Sequence, residues 1–465
     1  MNHLLAGVGR CDITPPPGVP QGGWGAATHQ RGLSADMPLY ATALVISDSK
    51  QSVVIIDVDS IGFDGEWTAK IIESVVKITS LPRESIRLSC THTHSGPNTF
   101  RLSTITEGLD MAISYLESLP LRIAGAAWQA QQNVKPMRCA AAAGSCEVNV
   151  NRRFKSPDGQ IVVGRNWEGP VDPTIRVVRF DDLDERPIAT VVHYACHPTT
   201  MGWQCQYVTP DYPGILRLTV ERELGGTCLF LQGAAGDLTP QRGFTGDLSV
   251  YHHLGLMLGL ESAKVAAGIE TLPRMENYQG ILQSGAPIAL YEDQRGETNP
   301  PTLKVIFRML KLPAKQFRPP AELQVEAEAA QAQLRRLRQA GTKEEICAAT
   351  ARATQAGWRL DYARQYYGKI SIDWPMQGIR IGSIALLSIA GEPFTEVNEK
   401  IVSRSPFSDT LFSGYSNGGF GYIPVRSAFA EGGYEVEASP FSSEAADILV
   451  NEAIQLLEEL AADRG

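Results

Sequence analysis

The chain has 465 residues, 43% of them hydrophobic and 20% charged, so it is long enough to bury a substantial core. Its net charge of −9 gives no basic footprint for nucleic acid, and it also argues against a surface for anionic lipids. No apolar run approaches the roughly 20 residues of a membrane-spanning helix, so no integral membrane association is expected.

The N-terminus and the cysteines bear on the compartment. The opening "MNHLLAGVGR" has no charged segment followed by a long apolar stretch, which is the pattern of a secretory signal. The eight cysteines are scattered and form no CxxC pair. These features predict reduced thiols and a cytoplasmic location.

Strand-like and helix-like segments alternate along the chain. Residues 66–78 and the C-terminal segment 442–465 have helical spacing. Short apolar runs predict strands at 52–60, 85–94, 188–198, 227–241, 382–393 and 409–417. The alternation predicts an α/β fold, with a mixed β-sheet core flanked by helices.

One region differs in composition from the rest. Residues 319–368 are rich in Ala, Gln, Glu and Arg and show no strand pattern. Gly341 divides the region, and Thr342 with Glu345 forms a capping box at the start of its second half. We therefore expect a helical hairpin inserted into a single domain that covers residues 1–465. The Pro-rich stretch 295–320 before it is interpreted as a surface arm.

Scarce residue types collect where the predicted strands end, and strand ends are where α/β proteins place their chemistry. There are only eight histidines, yet His92 and His94 close one strand while His193 and His197 close another. Residues two or four apart on a strand share a face, so each pair is expected to point one way. Further candidates follow other strands: Asp237, Thr239, Glu392, Tyr415 and Tyr422.

Imidazole and carboxylate ligands suit zinc, and a catalytic zinc site keeps one position open for water. The alternative is that these side chains are buried polar groups with ordinary hydrogen bonds. Two histidine clusters at separate strand ends favour the metal site modestly over that alternative.

Several motifs resemble those of the neutral, non-lysosomal ceramidases. "THTHSGPN" (91–98) is similar to the family signature "THTHSGP", which is specific. Shorter matches occur in family order from about residue 7 to 439: "GVGRCDITPP", "VNVNRRF", "CHPTT", "GAAGDLTPQ", "GEPF" and "YSNGGFGYIPVRSAFAEGGYEVEAS". The resemblance implies a zinc-dependent hydrolase of an amide (N-acyl) bond whose substrate is a small molecule with an acyl group.

The resemblance also implies roles for individual residues. The family's zinc ligands fall on His92, His197, Glu392 and Tyr422. His94 takes the place of a histidine beside the metal and is expected to shuttle a proton. Two further positions match residues that hold the scissile group and would steady an oxyanion: Arg152 and Tyr434. On this reading His193 is a core or supporting residue.

Two departures from the family pattern affect the prediction. Thr239 stands where the family has a serine, and its extra methyl group crowds nucleophilic attack. We therefore expect a zinc-bound water as nucleophile, with Thr239 contributing a hydrogen bond. Asp237 is expected to orient a ligand or Thr239. We expect no counterpart of the family's C-terminal immunoglobulin-like domain, so the resemblance is expected to predict the reaction class better than it predicts ceramide as the substrate.

Other functions have weaker support. "GYSNG" (414–418) matches G-x-S-x-G, but the following "GFGYIPV" cannot begin the helix that a nucleophile elbow requires. HExxH is absent, and so is a "GNH" segment of a metallophosphoesterase. His252 and His253 are interpreted as packing or surface residues. An esterase, a lactonase, a carbohydrate deacylase or a non-catalytic binding protein remains open as an alternative.

Overall fold

The structure is a computed structural model that describes residues 3–27, 29–48, 50–100, 105–296 and 301–462. Its strands are Leu4–Asp12 (β1), Ser34–Ala35 (β2), Tyr40–Ser47 (β3), Ser52–Val58 (β4), Ile86–Cys90 (β5), Lys135–Ser145 (β6), Asn149–Lys155 (β7), Ile161–Asn166 (β8), Thr174–Asp182 (β9), Pro187–Tyr194 (β10), Tyr207–Val208 (β11), Thr227–Gln232 (β12), Leu238–Pro240 (β13), Arg274–Leu282 (β14), Ile288–Arg295 (β15), Leu303–Pro313 (β16), Ser371–Ile381 (β17), Ile384–Ile389 (β18), Glu392–Pro393 (β19), Asp409–Ser413 (β20) and Tyr422–Ile423 (β21). Its helices are Gly65–Thr79 (α1), Leu109–Gln132 (α2), Tyr212–Leu224 (α3), Leu248–Ala267 (α4), Pro320–Ala340 (α5), Lys343–Tyr366 (α6), Thr395–Val402 (α7), Arg426–Glu431 (α8), Tyr434–Glu437 (α9) and Ala445–Ala461 (α10).

Two mixed sheets form the centre of the described chain. The larger has eight strands in the order β12-β10-β9-β6-β1-β3-β4-β5, with parallel pairs at both ends and antiparallel pairs between. The smaller has the order β16-β17-β18-β20. Aliphatic side chains such as Ile55, Leu231 and Leu386 fill the space between the sheets in one cluster. The predicted mixed α/β fold is confirmed.

Helices cover the outer faces of both sheets. Helices α1 and α2 pack on β3, β4 and β5, while α3 and α4 pack on β9, β10 and β12. Helices α7 and α10 cover the smaller sheet. Gly7 and Gly9 in β1 allow the close approach of α2, because an added Cβ would lie 2.3 and 2.2 Å from the carbonyl oxygens of Ala130 and Ala126.

The predicted helical hairpin is present as α5 and α6. The Thr342 side chain accepts from the backbone of Glu345, whose carboxylate accepts from the Thr342 backbone, so the capping box is complete. Whether residues 1–465 form one domain stays a prediction.

The interpretation of residues 295–320 as a surface arm is wrong for most of its length. Residues 297–300 lie outside the described part of the chain, but Leu303–Pro313 form β16, paired along its length with β17. Leu310 and Leu312 alternate into the core under α10, and this period of two outweighs the flanking prolines.

A buried ion triad ties α3 to β4 and to the residue just after its end. Arg217 donates to Asp57 Oδ2 at 2.9 Å and to both oxygens of Asp59 at 2.7 and 2.6 Å. All three side chains are at most 4% exposed. Burial raises the pKa of Asp57, although the Arg217 guanidinium opposes the rise, so the carboxylate depends on that partner for its charge.

We expect Arg217→Met to lower the free energy of unfolding by about 3–5 kcal/mol, because two buried carboxylates lose their partner. The midpoint of urea unfolding measures this change. Arg222→Met on the same helix is the matched control, since its ion pair with Glu223 is exposed, and it should change stability by less than about 0.5 kcal/mol. Equal stability of the two variants would contradict the expectation.

Within the described ranges, no helix has both the length and the apolar character needed to cross a membrane.

Candidate metal centre and active site

Three histidines converge beyond the ends of two strands. His92 and His94 lie in the loop after β5, and His197 lies in the loop after β10. Their ring centroids are 4.9 Å apart for His92–His94 and for His92–His197, and 5.7 Å apart for His94–His197. The candidate ligand nitrogens of all three lie within 4.8 Å of one another.

The expectation that the alternation of a strand aims these histidines in one direction is wrong. Strand β5 ends at Cys90 and β10 at Tyr194, so the alternation of a strand does not aim the rings. His92 instead has φ = 68°, a left-handed conformation that costs a non-glycine residue about 1–3 kcal/mol and is typical of functional sites. The hydrogen bond from its backbone N–H to Ser60 O (2.9 Å) holds the turn.

Backbone carbonyls determine which ring nitrogen of each histidine faces the centre. Nδ1 lies 2.6 Å from Ile61 O in His92, 2.6 Å from Ala235 O in His197, and 3.2 Å from Gly23 O in His94. A carbonyl oxygen only accepts, so each Nδ1 carries the proton and each Nε2 presents a lone pair. Burial lowers the pKa of His92 and His197 well below its usual value and that of His94 to about 4, so all three rings are neutral.

Glu392 and Tyr422 enter the site as partners in a short parallel ladder. Strands β19 and β21 place the two residues directly opposite each other, and Glu392 N donates to Gly421 O at 3.0 Å. Glu392 Oε2 lies 3.0 Å from His197 Nε2 and 3.6 Å from His92 Nε2. The Tyr422 ring lies nearly parallel to that of His197, with a centroid separation of 6.5 Å.

These contacts are those expected around a cation. His197 Nε2 and Glu392 Oε2 are both acceptors, are both buried, and have no hydrogen-bond donor among the described residues. Two such atoms 3.0 Å apart repel each other unless a positive charge lies between them. Tetrahedral zinc with ligands at about 2.0–2.1 Å would separate its ligand atoms by roughly 3.3 Å, which agrees with the observed 3.0 and 3.6 Å. The residues present therefore fit a zinc ion.

Arg152 lies behind Tyr422 and does not line the cavity beside the histidines. Its Nε donates to Glu435 Oε1 at 2.8 Å, and its Cζ lies 5.2 Å from the Tyr422 ring centroid and 6.0 Å from that of Tyr434. Burial opposes the charge, but Tyr422 and Glu435 hold the pKa of Arg152 well above its usual value. In turn, Arg152 opposes the rise that burial causes in the pKa of Tyr422.

Asp237 and Thr239 are fully buried and also lie outside the cavity lining. Asp237 Oδ1 accepts from the backbone and hydroxyl of Thr395 at 2.8 and 2.9 Å, and Oδ2 accepts from Asn151 at 3.0 Å. Asp237 thus anchors the segment that follows Glu392. The Thr239 hydroxyl lies 3.1 Å from the hydroxyl of Thr199, whose N–H donates to His197 O.

The site opens into a cavity of about 180 Å³. Of the residues predicted from the sequence, His92, His94, Glu392, Tyr422 and Tyr434 line it, whereas His197, Arg152, Asp237 and Thr239 lie behind that lining. Sequence reasoning missed the rest of the wall, which comes from residues 20–27 and 29–30, from α5 and α6, and from other segments that contribute Phe100, Trp203 and Phe420.

Three alternative candidates have ordinary structural contacts. His193 Nε2 lies 2.8 Å from Phe412 O, and Ser416 is buried with its hydroxyl donating to Gly414 O. The segment after Ser416 leads to β21 rather than to a helix, so no nucleophile elbow forms. His252 is largely exposed and contacts Asp36.

Comparisons with known proteins identify the family from the N-terminal half of the chain. Residues 4–246, just over half of the chain, match the model of the neutral/alkaline non-lysosomal ceramidase, N-terminal, family. Neutral ceramidase A of Dictyostelium discoideum is 25% identical over 261 residues, which is 50% of this chain and 35% of that protein. Neutral ceramidase of Drosophila melanogaster is 27% identical over 237 residues, covering 47% and 32%. The matches thus span about a third of the length of these relatives.

Solved structures show the same fold. The crystal structure of neutral ceramidase from Pseudomonas aeruginosa superposes with a TM-score of 0.69 at 19% identity, covering all of this chain and 76% of that one. A ceramidase complexed with C2 gives a TM-score of 0.69 at 18% identity, covering 99% and 76%. By its family match and its fold, the chain belongs to the neutral/alkaline non-lysosomal ceramidase family.

Proposed function

We propose that the chain is a zinc-dependent hydrolase that cleaves an amide (N-acyl) bond. The observation that carries the proposal is the pair of buried acceptors, His197 Nε2 and Glu392 Oε2, which face each other at 3.0 Å without a donor. Membership in a ceramidase family supports hydrolysis of an amide as the reaction. A single catalytic domain over residues 1–465 and a cytoplasmic location remain part of the proposal.

The zinc ligands in this proposal are His92, His197, Glu392 and Tyr422. Zinc supplies a Lewis acid that polarises a carbonyl and lowers the pKa of bound water to about 7. The carbonyl contacts at Nδ1 keep His92 and His197 in the tautomer that binds metal through Nε2. The charge of Arg152 favours the ionised form of the Tyr422 hydroxyl.

The remaining residues handle protons and the developing oxyanion. His94 Nε2 carries a lone pair and lines the cavity, so it takes a proton from the attacking water and returns it to the leaving amine. The Tyr434 hydroxyl donates to the oxyanion. Asp237 and Thr239 support the loops that hold Glu392 and His197, which makes them positioning residues.

Metal removal tests the proposal. We expect about one zinc per purified chain by elemental mass spectrometry, and hydrolysis of at least one member of a panel of N-acyl amides and esters. Dialysis against a chelator should abolish that activity. Added zinc should restore it, because the folded protein already holds the ligand side chains close together. Full activity in chelated, zinc-free protein would contradict the proposal, as would a zinc-loaded protein that hydrolyses no amide and no ester.

A further inference from the structure

Arg87 is a fully buried cation that the proposed reaction does not use. It lies in β5, and its side chain is 0% exposed. Its register partner in β4 is Ile55, which belongs to the apolar cluster between the two sheets. The next residue, Leu88, packs with α1 and α2 on the opposite face. Because successive side chains of a strand alternate, Arg87 points into the layer between the sheets.

The guanidinium of Arg87 is only partly hydrogen-bonded within the described part of the chain. Its Nε donates to Ser89 Oγ at 3.0 Å, and that hydroxyl lies 3.0 Å from Ser416 Oγ. The two terminal nitrogens, Nη1 and Nη2, are buried and have no hydrogen-bond partner among the described residues. Both NH₂ groups therefore lack an acceptor, although a buried donor without a partner is unfavourable for folding.

No carboxylate balances the charge of Arg87 in the described ranges. Burial lowers the pKa of Arg87 to about 9, and no neighbouring acid opposes that shift. The group is still positively charged at neutral pH. Arg217, which is also buried, is by contrast held by the carboxylates of Asp57 and Asp59. Arg87 is thus a buried charge without a counter-charge.

Two further polar atoms in the layer between the sheets have no partner in the described structure, His193 Nδ1 and Ser413 Oγ. Val191 and Leu411, two residues before them, belong to the apolar cluster between the sheets, so each pair shares that face. Burial lowers the pKa of His193 to about 4, and the charge of Arg87 contributes to that shift. His193 is therefore neutral at pH 7, and neither group supplies a negative charge.

We propose that the layer between the two sheets binds a small inorganic anion through Nη1 and Nη2 of Arg87. Water would accept from these nitrogens but would leave the charge unbalanced, and an unpaired buried charge costs far more than a buried polar group. An anion accepts the hydrogen bonds and balances the charge. Full burial of Arg87 favours an ion little larger than water, such as chloride. The inference is independent of the proposed function, because no step of the hydrolysis involves this site.

Crystals of the unmodified protein in sodium bromide test the site directly. Bromide replaces chloride in such sites, and its anomalous scattering distinguishes it from water. We expect an anomalous difference peak in contact with both Nη1 and Nη2 of Arg87. If these nitrogens contact only water, no such peak appears, and that result would overturn the inference.

Unfolding by urea shows whether the ion stabilises the folded protein in solution. A ligand that binds only the native state raises the ratio of folded to unfolded protein in proportion to its concentration above Kd. We expect a tenfold rise in chloride, exchanged for gluconate at constant ionic strength, to raise that ratio about tenfold. Gluconate is too large for a site of this kind. A bromide peak at Arg87 without this chloride dependence means an adventitious ion only, and it also overturns the inference.

Arg87→Met removes the charge and keeps a long, unbranched side chain. The variant should lose the chloride dependence and be at least as stable as the parent in gluconate, because an apolar group replaces an unbalanced buried charge. Arg222→Met is the matched control, since its ion pair with Glu223 is exposed, and it should keep the dependence. The same chloride dependence in Arg87→Met and the parent would overturn the inference. If Arg87→Met does not fold, the two measurements on the unmodified protein still decide.

Discussion

His197→Ala is expected to remove both the bound zinc and the hydrolytic activity. Its Nε2 lies 3.0 Å from Glu392 Oε2, closer than His92 Nε2 at 3.6 Å, and its other nitrogen is held 2.6 Å from Ala235 O. Without the imidazole, the cation site loses one of its ligands, and the buried carboxylate of Glu392 loses the acceptor that faces it. Loss of the metal removes several kcal/mol of charge stabilisation, which corresponds to a fall of at least about a thousandfold in kcat.

His193→Ala is the matched control for that variant. His193 is equally buried and lies in β10, just before the loop that carries His197, but its Nε2 lies 2.8 Å from Phe412 O and is not part of the histidine cluster. We expect the His193→Ala protein to keep about one zinc per chain and to lose stability rather than activity. Zinc content and kcat are measured on both variants at a temperature where each is folded. Zinc retained by His197→Ala, or lost from His193→Ala alone, would remove His197 from the ligand set.

Tyr434→Phe is expected to lower kcat by about 10²–10³ while leaving zinc content unchanged. Tyr434 lines the cavity, and its ring packs between those of Tyr422 and Trp358, at centroid distances of 5.4 and 5.5 Å. These contacts hold the ring whether or not the hydroxyl is present. The variant removes the hydroxyl as a hydrogen-bond donor, and loss of one oxyanion donor has an effect of this size.

The kinetic pattern distinguishes an oxyanion donor from a substrate-binding group. A donor that acts only in the transition state lowers kcat and kcat/KM together, whereas a binding group raises KM with kcat unchanged. Tyr366→Phe is the matched control, because that ring packs against Phe317 and Tyr362 and lies outside the cavity lining. It should change kcat less than twofold. If the Tyr434→Phe variant keeps the kcat of the parent, Tyr434 is not the donor to the oxyanion.

Part of the secondary structure was predicted from local pattern, although strands such as β6 and β9 and the long helix α2 were not. The runs at 52–60 and 227–241 contain β4 and β12, and the capping box at Thr342 marks the start of α6. Strand β16 was missed because the prolines around it suggested an irregular segment. Its buried leucines alternate only in the part that packs under α10, so the pattern is weak in the sequence. The two-residue strands β19 and β21 are too short to carry a periodic signal, although they pair Glu392 with Tyr422.

The sequence by itself determined the α/β class, the helical insertion and the chemical identity of the residues at the strand ends. These follow from periodicity, capping and composition, which are properties of neighbouring residues along the chain. The resemblance to the family motifs then indicated which of those residues to propose as zinc ligands.

Only the tertiary structure decided which groups meet. His197 and Glu392 are far apart in sequence, and their 3.0 Å contact depends on how β10 and β19 are placed by two different sheets. The carbonyls that select each histidine tautomer, and the side chains of α5 and α6 that line the cavity, likewise come from distant segments. Burial, ligand geometry and cavity size depend on such long-range packing, which local sequence pattern does not encode.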